Sequence, residues 1–484
     1  METMEQKCQN NVEKKEGGFV TMPFIFANEI CEKLAVVGFS TNMISYLTSQ
    51  LHLPLTKAAN TLTNFGGTAA MTPLIGAFLA DSFAGRFWTI TIASIIYQLG
   101  MISLTTSAVV PKLRPPPCSN NSNNNNNKTN FCQEADSGQL AILYVSLLLT
   151  ALGSGGILSF GADQFDENDP KQKTSTWKFF NWYYFCMGAS ILVANTVIVY
   201  VQDNIGWGWG LGIPTVAMGI SVIAFVFGYP LYRKLDPAGS PFTRLAQVCV
   251  AAYKKRKVAM LSDPKLLYDN DQLDAAISLG GKLLHTKSIK FLDKAAIVTP
   301  GDDPKSPDPW ALSTVHRVEE LKSVLRMGPI WAAGILLITA YAQQNTFSLQ
   351  QAKTMDRHLT PTFQIPPASM SVFTYTSMLA TILLYDRIFA PESMRSTAPA
   401  LFWLSISAGN YTSTLLVTLV HRFSEWLPDR NLNRGKLEYL YWLITLLQFF
   451  NFIYYLICAK YYTFKPVQAR GSQGDEEVEL SGRG

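Results

Sequence analysis

Along the chain, apolar blocks of about 20 residues alternate with polar connections, and each block is about the length of helix that crosses the roughly 30 Å hydrocarbon core of a bilayer. The first block runs from Gly17 to Gln50. Five more follow at about Ala59–Ala80, Phe87–Val110, Leu140–Phe160, Phe179–Val201 and Gly210–Tyr232. After a long polar stretch come four further blocks, near Met327–Phe347, Met370–Phe389, Ala398–Val420 and Tyr439–Tyr461. Lipid offers no hydrogen-bond partners to an open backbone, so segments of this length must be helices. The pattern predicts an all-α, multi-pass membrane protein with a six-helix N-terminal bundle and a shortened C-terminal bundle of about four spans. Its expected parts are a cytoplasmic tail (1–16), a transmembrane bundle (17–232), a basic cytoplasmic connection (233–326), a second bundle (327–465) and a polar acidic tail (466–484).

Composition agrees with this reading. Only 15% of the 484 residues are charged and 48% are hydrophobic, whereas soluble domains carry about 25% charged residues. The net charge of +5 calls for no nucleic acid, because basic residues collect in cytoplasmic loops. Sixteen of the forty Lys and Arg fall between Arg233 and Arg326, among them Lys254, Lys255, Arg256 and Lys257. That run can attract anionic headgroups or serve only as a topology signal. The expected surroundings are a membrane, most simply the plasma membrane, with lipid as neighbour. The first 16 residues are polar and do not read as a cleaved signal, so the first span directs insertion. Cys31, Cys186, Cys249 and Cys458 are scattered and read as packing residues. Neither a Cys-x-x-Cys pair nor a His cluster suggests a metal, no cofactor is implied, and no nucleophile and base pair suggests an enzyme. Cys118 and Cys132 bracket an Asn-rich tract with sequons at Asn120 and Asn127; a disulfide and glycosylation are candidates for that outer loop.

The first block is the one that carries chemistry. Inside it stand Glu29, Glu32 and Lys33, each costly at membrane depth unless it faces a partner or a cavity. Glu29 shares a helix face with Glu32 at i+3 and Lys33 at i+4. Two carboxylates beside one ammonium leave an excess negative charge, most readily relieved by a proton. A trio that takes and releases a proton is what a proton-coupled carrier needs; the bland alternative is a neutralised packing cluster. Between the second and third blocks, Gly76, Asp81, Gly85 and Arg86 form a pattern that can latch adjacent helix ends on the cytoplasmic side.

That loop resembles the signature of the major facilitator superfamily. Several other runs occur with it: Phe160-Gly-Ala-Asp163-Gln-Phe-Asp166, Phe179-Phe-Asn-Trp-Tyr-Tyr-Phe185, Phe291-Leu-Asp-Lys-Ala-Ala-Ile297, Asp308-Pro-Trp310 and Ala390-Pro-Glu-Ser-Met-Arg-Ser396. Together they resemble the plant nitrate transporter/peptide transporter family, the plant branch of the proton-coupled oligopeptide transporters. The resemblance implies two bundles working by alternating access, with protons as co-substrate and Glu29, Glu32 and Lys33 as the coupling residues. It implies a small-molecule cargo drawn from nitrate, nitrite, short peptides or plant hormones such as gibberellins. Arg86-Phe-Trp-Thr89 matches a family phosphorylation motif, which makes Thr89 a candidate site.

Three departures from the family pattern narrow the expectation. Val36, Val37 and Gly38 replace the Tyr-Tyr-Gly of peptide carriers, which disfavours peptides. Tyr341 stands where well-described nitrate carriers have histidine, and a neutral ring offers no imidazolium to an anion. Tyr341, Gln344 and Asn345 are the candidate pocket residues, suited to an amphipathic organic acid. Lastly, family residues, including a fourth-helix cation, are missing around Ile157–Leu158, and two spans are missing between Phe389 and Ala390. Two functions stay open: a symporter of a small anion or organic acid, or a shortened, transport-impaired product that acts only by binding a partner or exists only as a gene model.

Overall fold

The computed structural model describes residues 17–116, 133–154, 160–161, 163–165, 170–233, 241–260, 263, 266–270, 272–274, 282–361, 363–373, 376, 398–428, 432–462 and 467–468. The Cys118 and Cys132 pair, the two sequons, the Ile157–Leu158 junction and the Phe389–Ala390 junction lie outside these residues. So does most of the block read as Met370–Phe389.

Helices occupy the predicted blocks that fall among the described residues. They are α1 (Met22–Ser49), α2 (Leu55–Leu79), α3 (Gly85–Val109), α4 (Ser137–Gly153), α5 (Pro170–Val193), α6 (Val199–Asn204), α7 (Trp207–Phe227), α8 (Pro241–Lys254), α9 (Val315–Lys353), α10 (Ala398–Phe423) and α11 (Leu437–Tyr461). Among the described residues, five helical stretches are long and apolar enough to cross a membrane: Leu55–Val109, Trp182–Asn204, Trp207–Phe227, Val315–Lys353 and Leu437–Tyr461. The first holds α2 and α3, joined by a π-helical segment over Ala80–Ala84. A second π-helical segment, Ala194–Ile198, links α5 to α6. The only strands among the described residues are two short antiparallel pairs, β1 (Lys282–Leu283) with β4 (Val467–Gln468), and β2 (His358–Thr360) with β3 (Phe363–Gln364).

The Asp308-Pro-Trp310 run is not helical, and α9 begins only at Val315. Asp308 instead accepts the backbone N–H of Trp310 at 3.0 Å, and Thr314 accepts that of Arg317 at 3.4 Å. Such local side-chain bonds compete with the helix and fix where it starts.

The described chain divides into two compact units, residues 1–238 with 333–452, and residues 239–332 with 453–484. In the larger unit, α1 packs against α5 and α7, α3 against α4 and α7, and α2 against α10. Close approach requires glycine at the α3–α4 contact. A Cβ on Gly153 would lie 2.3 Å from the Tyr97 nitrogen, and one on Gly100 would lie 2.6 Å from that of Thr150. With little hydrophobic drive between helices in lipid, such contacts and interhelical hydrogen bonds hold a bundle together. The α2–α10 seam is polar along its length. Thr63 meets Thr414 at 2.6 Å, Thr414 donates to Asn64 at 2.8 Å, Asn60 donates to Thr418 at 3.0 Å, Thr68 meets Tyr411 at 2.9 Å, and Ser407 donates to the Gly67 carbonyl at 2.8 Å.

The smaller unit packs α8 on a 3-10 helix over Lys290–Ala296, with Val248, Ala251, Ala252, Leu292, Ala295, Ala296, Val318 and Leu321 as its core. A salt bridge sits under it. Lys255 Nζ lies 2.8 Å from Asp302 and 2.6 Å from the Ile297 carbonyl. Burial pushes the Asp302 carboxyl up, but the Lys255 ammonium and the Thr299 amide and hydroxyl outweigh it and hold the group below its ordinary value. Cys249, read as a packing residue, is exposed on α8.

Candidate functional site

α1 enters through a turn that the sequence dictates. Gly17 and Gly18 have φ of 85° and 75°, and a Cβ on Gly17 would sit 2.5 Å from the Gln164 carbonyl oxygen. Their amides donate to the Leu231 and Gln164 carbonyls at 2.8 and 2.7 Å. The start of α1 is thereby tied to the loop carrying Asp163 and to the 3-10 turn Tyr229–Leu231 that follows α7.

Two turns further on, the spacing reading of the trio is realised in space. Lys33 Nζ lies 3.2 Å from Glu29 Oε1 and 3.6 Å from Glu32 Oε1. Both carboxylates are buried, with Glu29 1% and Glu32 6% exposed, while the Lys33 side chain is 26% exposed. The lysine side chain is thus the most accessible of the three. One partner absent from the sequence reading joins them: the Tyr183 hydroxyl of α5 donates to Glu29 Oε1 at 2.7 Å. Tyr183 belongs to the Phe179–Phe185 aromatic run, whose rings Phe179 and Tyr183 are buried with Phe87, Phe160, Phe165, Phe225 and Tyr232. Nearby on α1, buried Asn28 accepts from Ser221 at 3.3 Å. With one ammonium for two acids, the site is neutral only when one carboxyl carries a proton.

Arg86, Asp81 and Gly85 also come together. Gly85 turns the chain with φ of 70°, which favours glycine. Arg86 Nε lies 3.4 Å from Asp81, and Arg86 Nη1 pairs with Asp163 as well. The latch therefore reaches the Phe160–Asp166 run, a partner that the local pattern did not reveal. Gly76 lies inside α2, where a Cβ would meet nothing within 4 Å, so the turn does not depend on it. The Thr89 hydroxyl donates to the Gly85 carbonyl at 2.9 Å.

Tyr341, Gln344 and Asn345 share one exposed face of α9. Gln344 lines a cavity of about 420 Å³ with Ser348, Gln351, Tyr441 and Thr445; Tyr341 and Asn345 are not among its lining residues. The opposite face of α9 is the buried one, where Gln343 donates to Ser413 Oγ at 2.7 Å. A cavity of about 540 Å³, which sequence reading missed, lies among α2, α4 and α10 and is lined by Lys57, Asn60, Asn64, Tyr144 and His421 among others.

In the smaller unit, His285, Asp293 and Glu319 gather as potential metal ligands, a cluster invisible in a sequence where they stand far apart. An internal cation already serves them. Lys322 Nζ, fully buried, lies 2.6 Å from Asp293 and 2.8 Å from Glu319, and Arg326 lies 3.1 Å from Glu319. Metal binding would have to displace that ammonium, so the cluster reads as structural.

A family model described as "PTR2: POT family" matches residues 87–398. The chain is 57% identical to Protein NRT1/PTR FAMILY 3.1 of Arabidopsis thaliana, covering 99% of each. The chain belongs to the POT family. NRT1/PTR FAMILY 8.1 of the same plant is 37% identical over 94% of this chain and 96% of that protein. Among solved structures, an auto-inhibited POT family peptide transporter is similar with a TM-score of 0.58 at 18% identity, covering 93% of this chain and 99% of that one. As a POT family member this chain is a proton-coupled, multi-pass membrane transporter and not an enzyme. The match to the 3.1 relative extends over 599 residues, more than the 484 of this chain. The relative therefore carries segments that are missing here.

Proposed function

We propose that this POT family chain is a symporter of a small anion or organic acid, with Glu29, Glu32 and Lys33 as the groups that couple cargo to protons. The observation that carries the reading is a buried pair of carboxylates sharing one ammonium, with the Tyr183 hydroxyl on Glu29. A proton removes the excess charge when the site is closed to water, and its release restores the ion pair on the other side. Val36 and Val37 beside the trio disfavour a peptide, and Tyr341 in place of an imidazole favours an amphipathic carboxylate over nitrate. Asp81, Gly85, Arg86 and Asp163 would act as the cytoplasmic latch, and Thr89 is its candidate modification site. The plasma membrane is the proposed location.

Uptake by cells expressing the chain should rise as the outer medium is acidified and vanish when the pH gradient is collapsed. E29Q and E32Q should each abolish accumulation against a gradient at equal surface level. Undiminished accumulation in both variants would sink the proposal.

A second reading is favoured by the segments missing relative to NRT1/PTR FAMILY 3.1: a short form that does not transport and acts by binding a partner. Comparing this chain with one given two further spans between Phe389 and Ala390 separates the two. Uptake by the restored chain alone supports the second reading.

A further inference from the structure

α8 presents two unlike faces. Val248, Ala251 and Ala252 are fully buried against the core of the smaller unit. On its outer side, Phe242, Ala246, Cys249 and Tyr253 fall within an arc of about 60°, taking 100° per residue, and Val250 flanks them. All five are exposed, Phe242 by 42% and Tyr253 by 62%. An aqueous surface would be expected to carry polar residues there.

The charges that α8 and the turn after it carry themselves are of one sign. From Pro241 to Met260 the chain contains no carboxylate. Lys254, Arg256 and Lys257 are exposed at the C-terminal end of the stripe. Arg256 lies over the Tyr253 ring at 4.4 Å and donates to the Tyr253 carbonyl at 3.2 Å, while Lys294 donates to the Arg256 carbonyl at 2.7 Å. Arginine and tyrosine are thus presented as one unit, with an apolar ring beside a cation. Lys255 differs from its neighbours, because its ammonium is turned inward to Asp302 and Ile297. An exposed apolar stripe flanked by cations is the form of a helix that lies in a bilayer interface. In sequence α8 is juxtamembrane, since residues 232–240 alone separate it from the 3-10 turn Tyr229–Leu231 that follows α7.

We propose that α8 docks on the anionic cytoplasmic leaflet. Phe242, Ala246, Cys249, Val250 and Tyr253 enter the interface, and Lys254, Arg256 and Lys257 meet lipid phosphates and carboxylates. The occupant is chosen by charge: the cations Lys254, Arg256 and Lys257 match a negatively charged surface, and a second copy of α8 would bring like charges together. The central connection of the transporter is then held by the lipid composition of the leaflet. This goes beyond proton coupling and does not depend on it.

Cys249 supplies the probe. The full chain, with its other six cysteines changed to serine and Cys249 labelled with an environment-sensitive fluorophore, is reconstituted in nanodiscs. One set contains phosphatidylcholine alone, and the other includes phosphatidylserine. The expected result is blue-shifted emission, quenched by brominated acyl chains, in the phosphatidylserine discs. K254E/R256E/K257E should return the probe to its aqueous emission, and Tyr253→Ser should weaken the quenching with the charges intact. E29Q should leave the signal unchanged. Aqueous emission in both lipids overturns the proposal. So does a blue shift that brominated lipid cannot quench, which means that protein covers the stripe. Equal quenching in both lipids overturns the role of the cations.

Discussion

Tyr183 and Asp163 show what one side chain adds to a motif. Each makes its decisive contact across a long stretch of sequence, Tyr183 with Glu29 and Asp163 with Arg86. The spacing of Glu29, Glu32 and Lys33 was legible because a helix brings i, i+3 and i+4 to one face. Their partner on α5 was not, because nothing in a local pattern says which neighbouring helix turns its hydroxyl inward. The aromatic run Phe179–Phe185 was the available signal, although it spoke for family and not for role. Hydrogen bonds to a charged group contribute about 1.5–3 kcal/mol, so Tyr183→Phe should reduce uptake about tenfold or more, by the usual 1.4 kcal/mol per decade. Its surface level should stay unchanged. Initial rates across external pH, compared with the parent chain, measure this; unaltered rates would assign Tyr183 to packing alone. The buried face of α9 was not legible either. Apolar periodicity identifies α9 without saying which polar face is buried, and the buried one carries Gln343 and not Tyr341.

At the level of the helix, lipid made the sequence legible: a spanning segment must satisfy its own backbone, so apolar length alone reveals it. Helix contacts were less visible, since glycine occurs in most of the blocks and only the fold shows which ones are needed. Gly153 and Gly76 make the contrast testable. Gly153→Ala forces a Cβ to 2.3 Å from the backbone of Tyr97, an overpacking that destabilises by about 1–3 kcal/mol. Gly76→Ala meets nothing within 4 Å and should be neutral or slightly stabilising. Thermal unfolding of the purified chains, read by a thiol-reactive dye, compares them. In the smaller unit, Asp302 gives a prediction with a definite sign. Its folded pKa is depressed below the ordinary 3.8. The stabilisation from Lys255 is therefore complete above that value and is lost as pH falls through the lower folded one. Limited proteolysis of the central connection should be flat around neutrality and rise only in strong acid. D302N should be more susceptible at neutral pH and lose that acid dependence.

At the scale of the molecule, a carrier has to part and rejoin a helical seam without stranding polar groups in lipid. The α2–α10 seam joins residues from either side of the central connection. Thr63 and Thr414 approach to 2.6 Å there, so a T63C/T414C pair should be oxidisable and should arrest uptake until a reductant is added. Transport that is indifferent to the cross-link would mean that this seam stays shut throughout the cycle. Its chemistry suits repeated opening. Thr63 also reaches the Ala59 and Asn60 carbonyls at 3.2 Å, Thr68 the Asn64 carbonyl at 3.0 Å, and Thr418 the Thr414 carbonyl at 2.8 Å. Each of these hydroxyls thus keeps a fallback acceptor within its own helix. Should the two helices separate, these protons would fold back onto the home backbone, and the zipper would unfasten without leaving their O–H groups orphaned.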